Sequence, residues 1–521
     1  MFAKEDRLIR INLYTAFIAL ALGAIFGLLQ ALARAPAIKL AIPFMDYYRA
    51  LTAHGVLMAL VFTTFFIIGL MLFGAIRSLG IPLHSLALGW LGYFLMLVGT
   101  LAAAVVILIG KATVLYTFYA PLQAHPFFYI GATVLVVGTW VIAAEVFLTY
   151  HRWRHANPGL PVPLMAHGIM VTFILWLIAT FGVAILMLAM LIPWSLGLVN
   201  RIDPLLARTF FWYFGHPLVY FWLLPAYIVW YTVMPKLAGG KLFSDTLARL
   251  SFIMLLILST PVGFHHQFMD PGIAWGWKYS HTITTFAVAF PSLITAFSVA
   301  ASLELAGRAR GGKGLLSWIG KLPWGEPAFA AIALSMILFA FGGAGGIVNA
   351  SYNLNTVVHN TTWIVGHFHL TVGSAAALTF MGSSYWLLPA VTGKPLRWRG
   401  LAVAQAYLWL IGIVIFSTSL HLAGVLGSPR RTADVTYGGS PVAASWVPHI
   451  NLSAIGGIIM FISIVVFSIV ALGTILSSRR QTAVIPLAEA LSGPGKSTGT
   501  LDRWWLWIGI AVILVLMAYA A

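Results

Sequence analysis

The sequence predicts an all-α fold, a polytopic membrane helical bundle, and three observations lead to this class. The 521 residues are 61% hydrophobic and only 8% charged, and their mean hydropathy is +0.96. A soluble domain of this size needs a far larger charged surface. Apolar runs recur along the whole chain, and each is long enough to cross a bilayer core, which takes about 20 residues. The excess apolar surface therefore faces the lipid bilayer.

The runs predict about 13 transmembrane helices. No linker between them is long enough to separate a second domain, so residues 1–521 are predicted to form a single integral-membrane domain. The first run is interpreted as a retained span, since no cleavage site of a signal peptide precedes it. The predicted spans are 11–33, 50–76, 84–110, 126–150, 165–194, 207–235, 247–268, 279–307, 326–345, 358–391, 400–424, 449–476 and 503–521.

The formal net charge of +17 is interpreted as a topology signal. The basic residues stand in short clusters between apolar runs, so we expect no nucleic-acid partner. With the N-terminus in the cytoplasm, the inner loops hold 20 of the 29 Lys and Arg residues. This asymmetry predicts a multi-pass protein of a bacterial or archaeal cytoplasmic membrane, with a cytoplasmic N-terminus.

The chain contains no cysteine and fifteen histidines. The absence of cysteine excludes thiolate metal sites, iron–sulfur clusters, covalently attached c-type haem and a cysteine-built dinuclear copper site within this chain. Histidine inside a bilayer is costly and is functional by default. One such residue could equally well bond a neighbouring helix, but six or seven in a few spans indicate metal binding.

A histidine and a tyrosine in the sixth predicted span are four residues apart. His216 and Tyr220 share one helix face at this spacing, which places an imidazole beside a phenol. The alternative is a kink at Pro217 with a packed tyrosine.

Two adjacent histidines close the seventh predicted span. His265 and His266 point about 100° apart on a regular helix, so both reach one metal only where the backbone is distorted, as Pro261 and Gly263 permit. With His216 they form a three-nitrogen site with an open position, which suits copper, zinc or iron and favours catalysis. The alternative is a pair of histidines at the membrane interface.

The tenth predicted span carries two histidines two residues apart. His367 and His369 point to nearly opposite sides of a helix, roughly 200° around, so one metal cannot easily take both. Two flat cofactors, one on each side, can. The spacing therefore predicts two haems held by one helix, and His54 in the second span could supply a further axial ligand to one of them. Phe368 would lie between the two ligands.

Cationic residues cluster at the outer end of the bundle. Arg430 and Arg431 lie in one outer loop, and His359 opens the tenth span. Haem propionates are carboxylates that need cations or donors, so these residues are candidate propionate partners, although a solvated basic pair is the alternative. No role is assigned to His281 or His421.

The motifs together resemble subunit I of the haem–copper oxidases over nearly the whole chain, and in particular the B-type cytochrome c oxidases. Leu218 stands where the A-type family usually carries glutamate, and Tyr220 argues against the C-type oxidases and nitric oxide reductases. The motifs that carry the resemblance are Trp212-x-x-Gly215-His216-Pro217-x-Val219-Tyr220, His265-His266 and Gly366-His367-Phe368-His369.

The resemblance implies a role for each candidate. His54 and His369 correspond to the ligands of a low-spin haem, expected to be haem b. His367 corresponds to the ligand of a high-spin haem, expected to be a-type.

The same resemblance makes His216, His265 and His266 the ligands of the active-site copper, Cu(B). His216 and Tyr220 become the catalytic pair, joined covalently in the family. A single proton path is implied, formed by Tyr227, Tyr231, Ser292, Thr295 and Ser298, although each hydroxyl alone could simply bond its own helix.

One departure concerns Asn355, which stands where some B-type relatives carry aspartate near the high-spin haem propionates. Asparagine cannot titrate, so a proton-holding role would fall to the propionates and His359.

The implied function is the catalytic subunit of a terminal oxidase that reduces dioxygen to water, with proton uptake and pumping. The implied partners are a subunit II with a dinuclear copper site, small accessory membrane subunits, and a cytochrome c or cupredoxin donor. The alternatives are a nitric oxide reductase or a quinol oxidase of the same superfamily.

Overall fold

The computed structural model describes residues 2–42, 45–494 and 498–519, and it is built almost entirely of helices. We number thirteen helices in chain order: α1 Ala3–Arg34, α2 Tyr47–Leu79, α3 Leu86–Leu108, α4 Pro126–Ala156, α5 Leu164–Ser195, α6 Pro204–Thr232, α7 Asp245–Ser259, α8 Trp275–Ala309, α9 Pro327–Ala350, α10 Thr362–Thr392, α11 Arg399–Val425, α12 Val447–Ile475 and α13 Trp504–Tyr519. Short helices lie between them: Met234–Leu237, Phe264–Gln267, Ile319–Lys321, Tyr352–Val358, Pro441–Ser445 and Thr498–Leu501.

Each predicted span overlaps one of these helices, and the chain is a multi-pass membrane protein. Within the described residues, ten helices are long and apolar enough to cross a bilayer. The other three are α6, α7 and α13. Helix α7 has only 15 residues, α13 has 16 in its described part, and α6 is rich in Trp, Tyr and Pro, which lower its hydropathy. Thirteen crossings therefore stay a prediction, and residues 520–521 of the last predicted span lie outside the described residues.

The predicted seventh span, 247–268, is too long. Helix α7 ends at Ser259, and the chain then turns into the short 3-10 helix Phe264–Gln267. Pro261 has no N–H with which to continue the hydrogen-bond ladder of α7. The two adjacent histidines consequently lie on a tight turn and not on a regular helix.

Two membrane helices contain π-helical segments beside candidate ligands. In α2 the segment Val56–Phe62 follows His54 by two residues, and in α10 the segment Val372–Leu378 follows His369 by three. Single π-turns are rare and occur often at functional sites, since they rotate the side chains on either side relative to one another. A third segment, Leu186–Leu191, lies in α5.

The helix ends are fixed by local signals. Asp203 accepts hydrogen bonds from Leu205 N and Leu206 N, and Pro204 occupies the first turn of α6, which is a favourable start for a helix. Two short strands, β1 (Leu242–Ser244) and β2 (Ala490–Ser492), pair in parallel. This pairing fastens the polar segment that follows α12 to the segment between α6 and α7.

Candidate metal centre

Three histidines from two parts of the chain converge inside the bundle. The ligand nitrogens of His216, His265 and His266 all lie within 4.8 Å of one another. The rings of His216 and His265 are 4.5 Å apart between centroids, and those of His216 and His266 are 5.7 Å apart. One metal ion at about 2 Å from each nitrogen fits a triangle of this size. The predicted three-nitrogen cluster is therefore present in the structure.

Neighbouring side chains fix two of the three rings. The indole of Trp212 stacks on His266 with centroids 3.6 Å apart and an interplanar angle of 6°. The Thr285 hydroxyl donates to the His281 carbonyl oxygen, so it accepts from His265 Nδ1 at 3.2 Å. This bond places the proton of His265 on Nδ1 and leaves Nε2 for a metal, as is usual for metal-binding histidines.

The cluster is buried and short of hydrogen-bond partners. His216 and His265 are each 5% exposed, and within the described part of the chain Nε2 of His216 and Nε2 of His266 have no partner. Buried polar atoms are almost always satisfied. A copper ion would satisfy nitrogens of this set, and neutral imidazoles are suitable copper ligands.

Tyr220 lies one helical turn beyond His216 on α6. The two rings are 5.0 Å apart between centroids and inclined by 62°. The phenol therefore contacts the first histidine of the cluster, as the four-residue spacing predicts.

The histidine of α2 faces a histidine of α10. The rings of His54 and His369 are nearly parallel, at 5°, with centroids 6.2 Å apart. His54 Nδ1 lies 2.8 Å from the Gly23 carbonyl oxygen, and His369 Nδ1 lies 2.9 Å from the Val365 carbonyl oxygen. A carbonyl oxygen only accepts, so each ring carries its proton on Nδ1 and keeps Nε2 free for a metal.

His367, on the other side of α10, is also oriented through Nδ1 by a backbone carbonyl oxygen. Its Nδ1 lies 3.0 Å from the Gly342 carbonyl oxygen of α9. A Cβ at Gly345 would come within 2.8 Å of that nitrogen, so a side chain at this position would displace the ring. Helices α9 and α10 thus approach closely enough for a carbonyl oxygen to orient the histidine.

One cavity of about 730 Å³ connects all of these residues. Its lining includes the six histidines, Tyr220, both arginines of the outer loop and His359. Cofactor sites commonly have this size and an apolar lining with a few polar groups. Tyr116 and Trp222 contact Phe368, which separates the two histidines of α10. The residues present therefore fit two flat macrocycles and one metal ion.

The predicted cations line the cavity. Arg430 donates to the Asn360 side-chain oxygen at 2.8 Å, and Arg431 donates to the Thr117 hydroxyl at 3.2 Å. Neither arginine forms an ion pair with a described residue. Burial, followed by the neighbouring charge of Arg431, lowers the pKa of Arg430 to about 10, so it remains a cation at neutral pH.

Asn355 is buried, and both the nitrogen and the oxygen of its side-chain amide form hydrogen bonds. Its Nδ2 donates to the Asn349 carbonyl oxygen at 2.8 Å, and its Oδ1 accepts from His359 Nδ1 at 3.1 Å. His359 Nε2 has no partner among the described residues and lines the cavity. The amide thus orients His359 without carrying a titratable proton itself.

Four of the five predicted proton-path residues form two hydrogen-bonded pairs between α6 and α8. The hydroxyls of Tyr227 and Ser292 are 3.0 Å apart, and Tyr231 donates to Thr295 at 2.8 Å. Ser298 is buried, and its hydroxyl has no partner among the described residues.

Sequence reasoning missed several residues of this site. Ser251 on α7 lies 2.8 Å from the Thr295 hydroxyl and extends the pair. Gly23 and Gly342 act through carbonyl oxygens, which leave no trace in side-chain patterns. His281, which lies near the eighth predicted span, had no predicted role.

Comparisons with known proteins agree with this geometry. The family model described as "Cytochrome C and Quinol oxidase polypeptide I" matches residues 7–459. "Cytochrome c oxidase subunit 1" of Thermus thermophilus is 47% identical, over 97% of this chain and 92% of the relative. "Heme-copper oxidase subunit I+III" of Aeropyrum pernix is 27% identical, over 81% and 51% of the two chains.

A solved structure shares the fold. The chain from a cryo-EM structure of a heme-copper terminal oxidase dimer superposes with a TM-score of 0.95 at 41% identity, over 99% of this chain and 92% of that one. The family match covers most of the sequence, and the Thermus relative is similar from end to end. The predicted family is confirmed: this chain belongs to the subunit I family of the haem–copper oxidases.

Proposed function

We propose that this chain is the catalytic subunit of a cytochrome c oxidase of the B-type, which reduces dioxygen to water. The observation that carries the proposal is the single cavity in which the His216–His265–His266 cluster and both histidines of α10 meet. Two porphyrins and one copper ion would use all six histidines in this arrangement. We propose a low-spin haem b, a high-spin a-type haem and Cu(B).

The proposed roles of the histidines follow from their free nitrogens. His54 and His369 would hold the low-spin haem, and His367 would hold the high-spin haem on the opposite side of α10. His216, His265 and His266 would hold the copper. Bound haem iron and copper supply the redox chemistry, and the chain's own residues fix the distances and protect the site from bulk water.

Arg430, Arg431 and His359 would bind the haem propionates. Both arginines lack a carboxylate partner among the described residues, and an unpaired guanidinium at the rim of a cavity is suited to a bidentate carboxylate. Asn355 keeps Nδ1 of His359 bonded, which leaves Nε2 for a propionate oxygen.

Tyr220 would deliver a proton and an electron at the reaction site. Its ring contacts His216. In the haem–copper oxidases that this chain resembles, the two corresponding residues are linked covalently. Charge is expensive in a medium of low dielectric constant, so each electron that arrives must be accompanied by a proton. This coupling is the physical basis of the proposed proton pumping.

Protons would reach the site through Ser298, Thr295, Tyr231, Ser292 and Tyr227. The two pairs Tyr231–Thr295 and Tyr227–Ser292 lie on adjacent turns of α6 and α8. Ser251 would join this path. The inner loops carry most of the positive charge, so we propose that the path opens at the cytoplasmic face and that the N-terminus lies there.

Electrons would enter from the outer face through a second subunit. The chain lacks the cysteines from which a dinuclear copper site is built, so a partner subunit would carry that site and receive electrons from cytochrome c or a cupredoxin. Small accessory membrane subunits would complete the complex in a bacterial or archaeal cytoplasmic membrane.

The two other activities of the superfamily are tested by the same assay. A nitric oxide reductase needs carboxylates near a non-haem iron, and no Asp or Glu lines the described cavity. The purified complex is given reduced cytochrome c, quinol or nitric oxide in turn, while dioxygen and nitric oxide are measured with electrodes. Dioxygen consumption with cytochrome c supports the proposal. Consumption with quinol alone would show a quinol oxidase, and nitric oxide turnover alone a reductase.

A further inference from the structure

His281 is a buried histidine of α8 that lies behind the turn bearing His265 and His266. It is 1% exposed, and its ring contacts Phe264 edge to face, with centroids 4.6 Å apart. It is separate from the three-histidine cluster. Its own hydrogen bonds indicate why a histidine stands there.

Two backbone N–H groups converge on one nitrogen of this ring. Gly263 N donates to His281 Nδ1 at 3.1 Å, and Phe264 N donates to the same atom at 3.2 Å. Both belong to the first residues of the turn, whose amides have no helical carbonyl to donate to. Since Nδ1 accepts twice, it carries no proton and has no lone pair left for a metal.

The other ring nitrogen is bonded to α13. With Nδ1 unprotonated, Nε2 carries the proton and donates to the Ala518 carbonyl oxygen at 3.3 Å. The next residue, Tyr519, packs against His281 and Phe264, with centroids 5.4 Å away in both cases. A Cβ at Gly263 would collide with the Tyr519 hydroxyl and with the Trp212 carbonyl. Helix α13 therefore holds the turn from behind.

We propose that His281 is a positioning residue for the copper site. This inference rests on the copper site of the proposed function. The ring caps the turn at Gly263 and Phe264, α13 fixes the tautomer that makes this cap, and the capped turn presents His265 and His266 to one ion. Thr285, one helical turn further along α8, orients His265 directly. Helix α8 thus holds both the backbone and a side chain of the copper turn.

Ordinary core packing would not require these bonds. A phenylalanine would fill the same space against Phe264 and Tyr519, yet it would leave two buried N–H groups without an acceptor, which is unfavourable for buried polar groups. A glutamine could accept with its carbonyl oxygen and donate with its amide, so it imitates both sides of the ring. The pair His281→Phe and His281→Gln therefore separates positioning from packing.

The test uses the complete oxidase complex. Copper is counted against haem iron, its affinity is measured by competition with a copper chelator, and carbon monoxide photolysed from haem at low temperature reports the copper by its infrared band. We expect His281→Phe to keep both haems, to weaken copper binding about 10- to 100-fold, and to shift or broaden the band. His281→Gln is expected to restore most of the affinity. His449→Leu, a partly exposed histidine at the start of α12, is the control and should match the wild type.

Unchanged copper affinity and an unchanged band in His281→Phe would overturn the inference, and so would an equal loss in both His281 variants. If His281→Phe assembles without haem, the milder variant His281→Asn is measured instead, because its shorter amide cannot reach both the turn and α13. Wild-type copper affinity in His281→Asn would overturn the inference. Weaker copper binding with both haems retained would support it. A wild-type complex that contains no copper at this site would overturn the proposed function as well. A copper affinity that does not change in the His281 variants would overturn only the inference.

Discussion

The imidazole rings of His54 on α2 and His369 on α10 lie parallel, with an interplanar angle of 5° and centroids 6.2 Å apart. They are separated by more than 300 residues in sequence, and each is oriented by a backbone carbonyl oxygen through Nδ1. Two imidazoles that both bind one iron at about 2 Å need a separation of this order. The arrangement is what a six-coordinate haem requires from a protein.

We predict that His54→Leu removes the low-spin haem signal and leaves the high-spin one. The substitution deletes one axial nitrogen without touching His367 or the copper cluster. Optical and electron paramagnetic resonance spectra of the purified complex measure the two haems separately. Retention of a normal low-spin spectrum would contradict the assignment of His54.

Gly27 offers a milder test of the same ligand. A Cβ at this position would come within 2.8 Å of the His54 ring, so Gly27→Ala should tilt the ring and perturb the low-spin spectrum. Gly400→Ala, where a Cβ would meet nothing within 4 Å, is the control and should leave the spectrum unchanged.

Tyr220→Phe should lower dioxygen consumption by about 10²- to 10⁴-fold, the usual contribution of a positioned proton donor. The aromatic ring and its contact with His216 are preserved, so haem and copper content should stay at wild-type levels. An oxygen electrode, with metal analysis on the same sample, makes this measurement. A variant that retains full turnover would exclude Tyr220 from the reaction.

The Thr295 hydroxyl is the centre of the described proton-path contacts, because Tyr231 donates to it and Ser251 bonds it. Thr295→Val keeps the shape and removes the hydroxyl. We expect about a hundredfold lower rate of proton uptake, the lower end of the usual contribution of a positioned proton-transfer group, with little change in the haem spectra. Flow-flash kinetics with a pH indicator measures this rate.

The control for this variant is Thr282→Val on the same helix, where the hydroxyl only bonds the Lys278 carbonyl of its own helix. It should take up protons at the wild-type rate. Equal rates in Thr282→Val and Thr295→Val would place the proton path elsewhere.

Asp502 should be important for stability. Its buried carboxylate, 4% exposed, bonds His167 Nδ1 at 2.9 Å and Arg249 Nη1 at 3.1 Å. Asp502→Asn leaves both partners without their anion, and breaking a buried pair in this way costs about 3 kcal/mol. Thermal unfolding in detergent measures the loss. Glu489→Gln, which breaks the exposed pair with Lys241, should unfold at the wild-type temperature.

The contribution of the Asp502 carboxylate to stability is expected to depend on pH. Burial alone would raise the pKa of Asp502, but the hydrogen bond from His167 and the charge of Arg249 hold it below the ordinary value of 3.8. The unfolded chain therefore binds a proton more readily, so this stabilisation is complete above about pH 4 and is lost as the pH falls further. The difference in unfolding temperature between wild type and Asp502→Asn should shrink below that pH, and a constant difference would contradict the assignment.

The fold and the six histidines could be predicted because their signals are local. Apolar runs mark the membrane helices, and the spacing of His367 and His369 on one helix places them on opposite sides. The separation of His216 from His265 in sequence did not hide the cluster, since several histidines within a few membrane spans indicate metal binding.

Features that depend on the backbone could not be predicted in the same way. The carbonyl oxygens of Gly23 and Gly342 orient two of the proposed haem ligands, yet any residue has a carbonyl. The early end of α7 comes from how Pro261 and Gly263 act together with the tertiary contacts of the turn. The proposed role of His281 depends on α13, whose Ala518 carbonyl lies more than 200 residues away in sequence.

Helix α10 is proposed to bind two haems on opposite sides, and a comparison of His367→Ala with His369→Ala tests this arrangement most directly. Haem is counted by the pyridine haemochrome method in the purified wild-type complex and in both variants, and the spectra assign each haem as high-spin or low-spin. We predict that His367→Ala perturbs or loses only the high-spin haem and His369→Ala only the low-spin haem. A wild type without haem, or two variants with the same altered spectrum, would contradict the account.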